Sequence, residues 1–357
     1  MIVKNLEQKV LYLRKRLEDK SRRGTDVNVN ISMSEYQLRV RDKLVKAISL
    51  GELKTEQNSC PNCGADDGDI IASYDRMGIP LDTAVCRTCP TLYSMSRFDH
   101  DSMRLFYADW YRSLSSGTKA PDTSFYRAQA EAGYSLLAFL RSKNLLDVLP
   151  RRVLDVGCGA GGALLPFAEL GAECVGIDMD NAFLEIGRSA KIDLKVANLE
   201  SYESERPFDL VILDDVIEHL TDPLGGLKQV RSLLSRDGLV VCQVPVLDTL
   251  RELGYRNDLR RYFQLAHVNH FSIASLTEMF SKVEMECIAF DGVGQFAFRV
   301  SAQNQCVGPD ALLRERERLI AHLFHVTRWR SYYSIREQIA TRVYRLLRRI
   351  AHIARRE

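Results

Sequence analysis

Several features that mark exported, membrane and repeat proteins are missing from this 357-residue sequence. No apolar run approaches the roughly 18 residues that a membrane-spanning helix needs. The N-terminus carries a charge at Lys4 and has neither an apolar core nor a small-residue cleavage site, so we expect no secretory signal. Internal repeats and low-complexity tracts are also missing. These absences favour a globular protein of the cytoplasm.

The nine cysteines do not suggest a disulfide framework. Four of them form two close pairs and five are scattered through apolar segments, which is typical of a reducing compartment. Hydrophobic residues make up 46% of the chain, as in soluble globular proteins. The length allows two domains with appendages.

Charge is distributed unevenly, although the net charge is only +2. Residues 311–357 contain 12 arginines and 4 acids, and residues 1–24 contain 8 basic and 3 acidic side chains, so the middle carries about −11. Basic ends on an acidic body favour a membrane surface or another anionic partner over a nucleic-acid groove. We therefore expect a cytoplasmic protein that either stays in solution or lies at the inner membrane surface.

Helical patterns occupy both ends of the chain. In the N-terminal segment, residues 1–50, apolar side chains recur at spacings of three and four, and a second helix is predicted over residues 34–50 before Gly51. The first helix either packs on its own body or forms a short zipper in a homodimer. The C-terminal tail, residues 303–357, is predicted to be helical and basic, and either to contact a membrane surface, to dock a partner enzyme or to pack on the body of the protein with its arginines in water. The seam positions are Val3, Leu6, Val10, Leu13 and Leu17.

A strand that runs into a glycine-rich turn is the central motif of the sequence. The strand ends at Val156, the turn contains Gly157 and Gly159, and a helix is predicted over residues 162–170. Glycines allow a tight turn and let a ligand approach the backbone. No Lys-Ser/Thr pair follows, as a triphosphate site would require, and Asp155 would repel a pyrophosphate but suits a cationic ligand.

A second strand follows at residues 173–177 and ends in Asp178. An acid about 20 residues beyond a glycine-rich turn suits the hydroxyl pair of a ribose. The turn resembles that of class I S-adenosylmethionine-dependent methyltransferases. The alternative is an ordinary strand–helix turn of another α/β domain.

The rest of the predicted domain, residues 119–302, alternates strands with helices. This pattern predicts a Rossmann-like α/β fold, in which a parallel sheet has helices on both faces. Pro223 is expected to open a helix, and Asp237-Gly238 to form the turn before the fifth strand. A terminal antiparallel hairpin completes the prediction. The preceding helix is predicted at 124–143, the later strands at 194–197, 208–213 and 239–244, and the hairpin at 284–290 and 295–301.

Two C-x2-C pairs lie in the module of residues 51–118. Cys60, Cys63, Cys86 and Cys89 are the ligand set of a closed, structural zinc site, with Gly64 suited to the tight turn. The alternative, a pair of redox dithiols, would need a thioredoxin-like context that the sequence lacks. The module contains 10 acidic and 6 basic side chains, so no nucleic-acid partner is expected.

Polar residues cluster where the fourth strand ends. Asp214 is a candidate cofactor contact, together with Asp155, Gly157, Gly159 and Asp178. His219 is either a catalytic base or a residue that packs on the cofactor. His267 and His270 are candidates for contact with the acceptor, because a histidine near neutrality can take a proton from a hydroxyl; their alternative roles are capping and core packing.

The order of these motifs resembles that of bacterial zinc-ribbon methyltransferases of sugar and surface-polysaccharide biosynthesis, and is similar to that of deoxysugar C-methyltransferases. The resemblance runs from the first cysteine pair to Ser301. It implies S-adenosylmethionine as cofactor, structural zinc and a carbohydrate acceptor, with O- or C-methylation left open. Asn198 stands where the family usually has an acid facing the adenine amino group, and as a candidate cofactor contact its amide oxygen can accept the same hydrogen bond without charge assistance. The shared segments include Phe106-Tyr107, Tyr111-Arg112, Tyr126-Arg127, Glu218-His219 and residues 267–272.

Two alternatives to a carbohydrate methyltransferase remain at this point. One is an RNA methyltransferase, which the acidic cysteine module disfavours. The other is a non-catalytic scaffold of a polysaccharide assembly, which the intact glycine turn and acidic residues disfavour.

Overall fold

A computed structural model describes residues 2–18, 29–117, 123–188, 192–301 and 307–328. The chain begins with two helices, α1 (Ile2–Glu18) and α2 (Glu35–Ser49). Ser34 caps α2: its hydroxyl accepts from the Gln37 amide, and the Gln37 side chain accepts from the Ser34 amide. Gly51 follows with φ of +72°. The predicted second helix is therefore confirmed.

The cysteine module consists of two small antiparallel sheets and a helical segment. The first sheet pairs a short strand with the last strand of the module, and the second contains the three strands between them. A π-helical turn, Tyr107–Tyr111, interrupts the helical segment. The elements are β1 (Thr55–Gln57), β2 (Gly68–Tyr74), β3 (Pro80–Cys86), β4 (Leu92–Ser94), β5 (Ser96–Phe98), α3 (His100–Phe106) and α4 (Arg112–Ser115).

Strands and helices alternate in the following domain, and a hairpin and a final helix end the described part. The elements are α5 (Thr123–Ser142), β6 (Arg152–Val156), α6 (Leu165–Glu169), β7 (Glu173–Asp178), α7 (Asn181–Gly187), β8 (Asp193–Val196), β9 (Phe208–Asp214), α8 (Pro223–Leu233), β10 (Leu234–Gln243), α9 (Leu259–Tyr262), β11 (Asn269–His270), α10 (Ile273–Ser281), β12 (Met285–Phe290), β13 (Gln295–Val300) and α11 over residues 309–328.

Seven of these strands form one mixed sheet in the order β12-β13-β10-β9-β6-β7-β8. The five strands from β10 to β8 are parallel, and β13 and β12 are antiparallel. Alternate residues of β6 face two separate apolar clusters, with Leu154 in one and Val153 in the other, so both faces of the sheet are covered. The predicted Rossmann-like fold with a terminal hairpin is confirmed.

One local prediction in the sheet is wrong. Asp237-Gly238 lies inside β10 instead of in a turn before it. Leu234 pairs with Phe208, and the register then shifts before Leu239 pairs with Leu210. The strand therefore begins before Asp237-Gly238, and these residues lie in an irregular stretch of its pairing with β9.

The module and the sheet domain are joined by strand pairing. β11 adds to the module's second sheet, giving the order β11-β4-β3-β2, with Asn269 opposite Tyr93 and His270 opposite Leu92. The predicted boundary at residue 118 thus separates two segments of sequence that share one sheet.

The two terminal helices pack on this body. Leu13 of α1 is fully buried, in one cluster with Ile71 of β2 and with Ile320 and Leu323 of α11. The seam positions Leu6, Val10 and Leu17 also pack against this cluster, and the homodimer stays a prediction. Residues 329–357, which hold most of the predicted basic tail, lie outside the described residues. No helix within the described ranges is both long and apolar enough to cross a membrane.

Asp75 ties the turn between β2 and β3 to the segment before β11. Its carboxylate accepts hydrogen bonds from the amides of Met77 (2.8 Å), Ile79 (2.9 Å) and Leu265 (3.2 Å), and the residue is 1% exposed. Burial outweighs these bonds and raises the pKa of Asp75 to about 6. The folded protein therefore binds more protons than the unfolded chain between about pH 4 and pH 6.

We predict that this carboxyl lowers stability as the pH rises. Because the folded pKa is raised by about two units, the free energy of unfolding should fall by about 2–3 kcal/mol from pH 4 to pH 7.5 through this group. Asp75→Asn should remove that share of the pH dependence in denaturant unfolding, whereas Asp82→Asn, an exposed acid on β3, should keep it. Identical pH slopes for wild type and Asp75→Asn would contradict the prediction.

Candidate active site

The glycine turn after β6 is held by the acid at the end of β7. Gly157 and Gly159 have φ of +68° and +54°, which side-chain-bearing residues rarely adopt. Asp178 accepts from the Gly159 amide through Oδ2 and from the Asp180 amide through Oδ1, both at 2.8 Å. The structure thus brings together three of the predicted cofactor residues at the carboxyl edge of adjacent parallel strands, where open α/β sheets bind ligands.

Gln129 of α5 braces the same turn, and the sequence analysis missed it. Its amide donates to the Cys158 carbonyl (2.8 Å) and accepts from the Ala160 amide (3.0 Å). Gly133, one helical turn later, lets α5 approach so closely that a Cβ there would lie 2.3 Å from the Ala163 carbonyl oxygen. The helix therefore fixes the shape of the cofactor turn.

Three carboxyl groups lie at this edge of the sheet: Asp155 is buried, Asp214 is half-buried and Asp215 is exposed. Burial, followed by the charges of Asp214 and Asp178, raises the pKa of Asp155 well above its usual range. Desolvation and then the charge of Asp215 raise the pKa of Asp214 to about 7. Like charges at close range raise one another's pKa, and a cationic ligand relieves that repulsion.

Asn198 lies after β8 but its oxygen is already in use. The side-chain oxygen accepts from the Ser201 amide at 3.0 Å and also contacts the Ser201 hydroxyl. An amide oxygen has two lone pairs. The predicted bond to an adenine amino group would therefore require Ser201 to move.

His219 lies in a short 3-10 turn (Ile217–His219) after β9. Its Nδ1 is 2.9 Å from the Tyr107 hydroxyl and 3.0 Å from the Ala266 carbonyl oxygen. Burial lowers the pKa of His219 to about 4, so the ring is neutral at physiological pH. The ring of His267 lies 4.6 Å from that of His219, centroid to centroid.

Glu218 faces this histidine pair. It is 1% exposed, and neither carboxylate oxygen has a hydrogen-bond partner among the described residues. Its Oε1 lies 3.8 Å from His267 Nε2, which the Gln264 amide also contacts. Burial raises the pKa of Glu218 well above its usual range, and burial and then the other two histidines lower the pKa of His267 well below its own. Burial therefore favours the neutral forms of this pair.

His270 differs from the other two predicted histidines. It is fully buried on β11, with its ring 5.4 Å from that of Tyr262 and 5.3 Å from that of Phe263. Burial lowers its pKa to about 3. The surroundings are those of a core side chain, so its predicted contact with an acceptor has less structural support than that of His267.

Aromatic residues of the module complete the wall beside His219. Tyr107 and Tyr111 lie on the π-helical turn, and their rings are 6.2 Å and 5.8 Å from the His219 ring. The Arg112 guanidinium lies 3.9 Å from the centre of the Phe183 ring. The sequence indicated Tyr107, Tyr111 and Arg112 only through the family resemblance. The π-helical turn that carries the two tyrosines has no simple sequence pattern.

The four cysteines of the two pairs come together. The sulfurs of Cys60 and Cys89, and those of Cys63 and Cys86, are each 3.5 Å apart, and all four lie within 4.8 Å of one another. Four thiolates bonded to one tetrahedral zinc at about 2.3 Å would be about 3.8 Å apart. The Thr88 amide donates to the Cys86 sulfur at 3.3 Å, as expected for a knuckle. The donor set fits structural zinc.

Hydrogen bonds connect the cysteine knuckles to the histidine segment. The Ser94 amide donates to the Val268 carbonyl (3.1 Å) and its hydroxyl to that of His267 (3.3 Å). The hydroxyl of Ser272, which caps α10, donates to the Pro90 carbonyl at 3.0 Å. The peptide that positions His267 thus rests on the residues that follow Cys89.

Comparison with known proteins identifies one domain. Residues 126–289 match the family model of a methyltransferase domain. The match covers less than half of the chain but includes the glycine turn, Asp178 and the three histidines. The chain therefore contains a methyltransferase domain, as the sequence predicted.

Curated relatives share only part of this domain. Ubiquinone biosynthesis O-methyltransferases of Ruegeria sp. (strain TM1040) and Bradyrhizobium diazoefficiens are 38% identical over 98 residues and 33% over 108 residues. These segments are 26% and 29% of this chain, and 40% and 42% of the relatives. The chain thus spans about two fifths of the relatives' length, and neither relative is named for a sugar pathway.

Solved structures of methyltransferases are similar over more than half of this chain. A 1,6-didemethyltoxoflavin-N1-methyltransferase of Burkholderia thailandensis is 14% identical, with 62% of this chain and 96% of that chain covered and a TM-score of 0.43. An amino pentose methyltransferase of Micromonospora echinaspora is 12% identical, with 52% and 99% covered and a TM-score of 0.39. At these values the two similarities carry no conclusion about function.

We predict that Gly133→Ala loosens the cofactor turn. Alanine favours a helix by about 1 kcal/mol over glycine. The new Cβ would, however, clash with a backbone oxygen, which cannot move aside as a flexible side chain can. Overpacking of this kind costs about 1–3 kcal/mol. A lower midpoint in denaturant unfolding is expected. Gly308→Ala, whose Cβ would meet no atom within 4 Å, is the control. Equal midpoints for wild type and Gly133→Ala would contradict the packing argument.

Proposed function

We propose that this protein transfers a methyl group from S-adenosylmethionine to a hydroxyl of a small acceptor. One observation carries the proposal: Glu218 and His219 follow β9, the glycine turn follows β6 and Asp178 ends β7, and these strands are neighbours in the order β9-β6-β7. His267, from the loop before β11, lies against Glu218 and His219. Adenosine at the first group and an acceptor at the second would place the sulfonium between them.

The charges of the site suit this cofactor. Asp155, Asp214 and Asp215 lie at the strand ends between the two groups, and a sulfonium cation would relieve their mutual repulsion. Positioning the methyl carbon in line with the acceptor oxygen can supply several kcal/mol of the barrier reduction. The acceptor oxygen would then bond to the methyl carbon while the carbon–sulfur bond breaks, which would yield S-adenosylhomocysteine, a methyl ether and the proton lost from the hydroxyl.

A carbohydrate is our first proposal for the acceptor, as a sugar nucleotide or a surface glycan. The support is the resemblance to zinc-ribbon sugar methyltransferases and the polar wall of Tyr107, Glu218, His219 and His267, which could pair with several hydroxyl groups. A phenol is the second proposal, because the curated relatives are named as ubiquinone biosynthesis O-methyltransferases.

The cofactor proposal is tested by Asp178→Ala. Loss of a charged acceptor should weaken S-adenosylmethionine binding at least tenfold, since hydrogen bonds to charged groups contribute roughly 1.5–3 kcal/mol. Isothermal titration calorimetry measures the affinity, and Asp193→Ala, an exposed acid on β8, is the control. A folded Asp178→Ala protein with wild-type affinity would exclude this site.

The acceptor proposal is tested with the full chain and S-adenosylmethionine. Release of S-adenosylhomocysteine is measured with nucleotide sugars, free glycans and catechol-type phenols, and any small molecule that co-purifies is identified by mass spectrometry. Turnover is expected with a carbohydrate. Turnover with the phenols alone would replace the first acceptor proposal by the second.

We also propose that the four cysteines hold one structural zinc that positions the histidine segment. About one zinc per chain should remain after dialysis against a chelator. Cys86→Ser should lose it and increase hydrogen exchange at the amides of Ser94 and residues 267–270, because Ser94 bonds to that segment. Cys287→Ser, an exposed cysteine outside the cluster, should change neither. Unchanged exchange in metal-free protein would refute the positioning role.

A further inference from the structure

The side chains of Glu218, His219 and His267 converge in a way that the methyltransferase fold alone does not require. One carboxylate oxygen and one ring nitrogen from each histidine lie within 4.8 Å of one another. They come from two separate segments, the 3-10 turn after β9 and the loop before β11, which the pairing of β4 with β11 brings together. The three residues belong neither to the glycine turn nor to the cysteine cluster.

We propose that Glu218, His219 and His267 bind one divalent transition-metal cation, separate from the zinc at the cysteines. Protein ligands lie about 2.0–2.2 Å from such an ion, so two ligands of a tetrahedral site are about 3.4 Å apart. The Glu218 Oε1 and His267 Nε2 atoms, 3.8 Å apart, are close to this separation. A pair at the 4.8 Å limit would need to close by more than about 1 Å, which a shift of the loop that carries His267 would supply.

The buried carboxyl group of Glu218 is the first argument for a cation. Both of its oxygens lack a partner among the described residues, and the residue is 1% exposed. An ionised carboxylate buried without compensation costs several kcal/mol. No arginine or lysine contacts it in the described part of the chain, whereas two imidazoles face it. A divalent cation would satisfy the carboxylate and both rings at once.

The tautomer of His219 is the second argument. The Ala266 carbonyl, 3.0 Å from His219 Nδ1, can only accept, and the Tyr107 hydroxyl, 2.9 Å away, can accept as well, so a protonated Nδ1 suits both oxygens. Nε2 is then the nitrogen with a free lone pair. Histidines that bind metals commonly donate their other N–H to a backbone carbonyl in this way, which fixes the ring and increases the basicity of the ligand nitrogen.

The ligand set indicates which cations fit. Two imidazoles and one carboxylate suit Mn, Fe, Co, Ni or Zn better than Mg or Ca, which prefer oxygen ligands alone. Three protein ligands also leave coordination positions open. Cation binding does not depend on the proposed function; only the catalytic role of the cation rests on it. In that role the cation, as a Lewis acid, would lower the pKa of the acceptor hydroxyl. That hydroxyl then releases its proton to solvent before its oxygen takes the methyl group.

The competing arrangement is a proton shared between Glu218 and His267, whose nearest atoms are 3.8 Å apart. The shared proton needs no ion, and the Gln264 side chain can stay in contact with His267 Nε2. A cation bound to Nε2 would have to displace Gln264. Measured cation binding separates the two arrangements.

The test uses full-length protein with its cysteine cluster loaded with zinc, titrated with Mn²⁺ in the absence of S-adenosylmethionine. Free Mn²⁺ is followed by electron paramagnetic resonance. Mn²⁺ is a suitable probe because it disfavours thiolate ligands. One saturable site per chain is expected, and Glu218→Gln and His267→Gln should each weaken it at least tenfold. His100→Gln, an exposed histidine on α3, should leave it unchanged.

Glu218→Gln keeps the shape of the side chain and adds no charge to the buried site, so it should fold; circular dichroism and zinc content check this. His219→Gln is the second variant should His267→Gln lose structure. An absence of saturable Mn²⁺ binding in the wild type, or equal affinity in wild type and folded Glu218→Gln, would overturn the cation site and leave the shared proton. Neither result affects the calorimetric test of S-adenosylmethionine binding, so the two proposals fail separately.

Discussion

The pairing of β4 with β11 is the constraint on which the arrangement of the candidate site depends. Only two residues of β11 take part, Asn269 opposite Tyr93 and His270 opposite Leu92. Two strand residues are a weak sheet by themselves, but the Ser94 and Ser272 hydrogen bonds add to them, and the Asn269 side chain donates to the Leu220 carbonyl at 2.7 Å. The loop with His267 is thereby held against the turn with Glu218 and His219.

This arrangement gives the cysteine module a role beyond its own folding. A module of this size has a small core, and a metal held by four thiolates contributes folding free energy that packing cannot supply. β4 begins three residues after Cys89. A metal that fixes the position of Cys89 would therefore also restrict the strand that pairs with the histidine segment. α11 strengthens the same region: Arg316 donates to the Cys86 carbonyl at 2.6 Å and pairs with Asp69 at 2.7 Å.

Sequence patterns predicted the elements better than the contacts between them. The parallel strands, the helix after Ser34 and the cysteine cluster depend on local spacing, and their positions agree with the structure to within a few residues. Asp237-Gly238 was misassigned because a turn-forming pair can also be absorbed into a strand with an irregular register. Gln129, the contact of Tyr107 with His219 and the β4–β11 pair join residues far apart in the chain, and no local pattern records such contacts.

The central claim is that the cofactor's reactive end faces a histidine cluster held in place by the cysteine module. A crystal structure of the full chain with S-adenosylhomocysteine tests it most directly. The account predicts adenosine between the glycine turn and Asp178, with the sulfur directed toward Glu218, His219 and His267. A ligand bound elsewhere, or a sulfur directed away from this cluster, would contradict it.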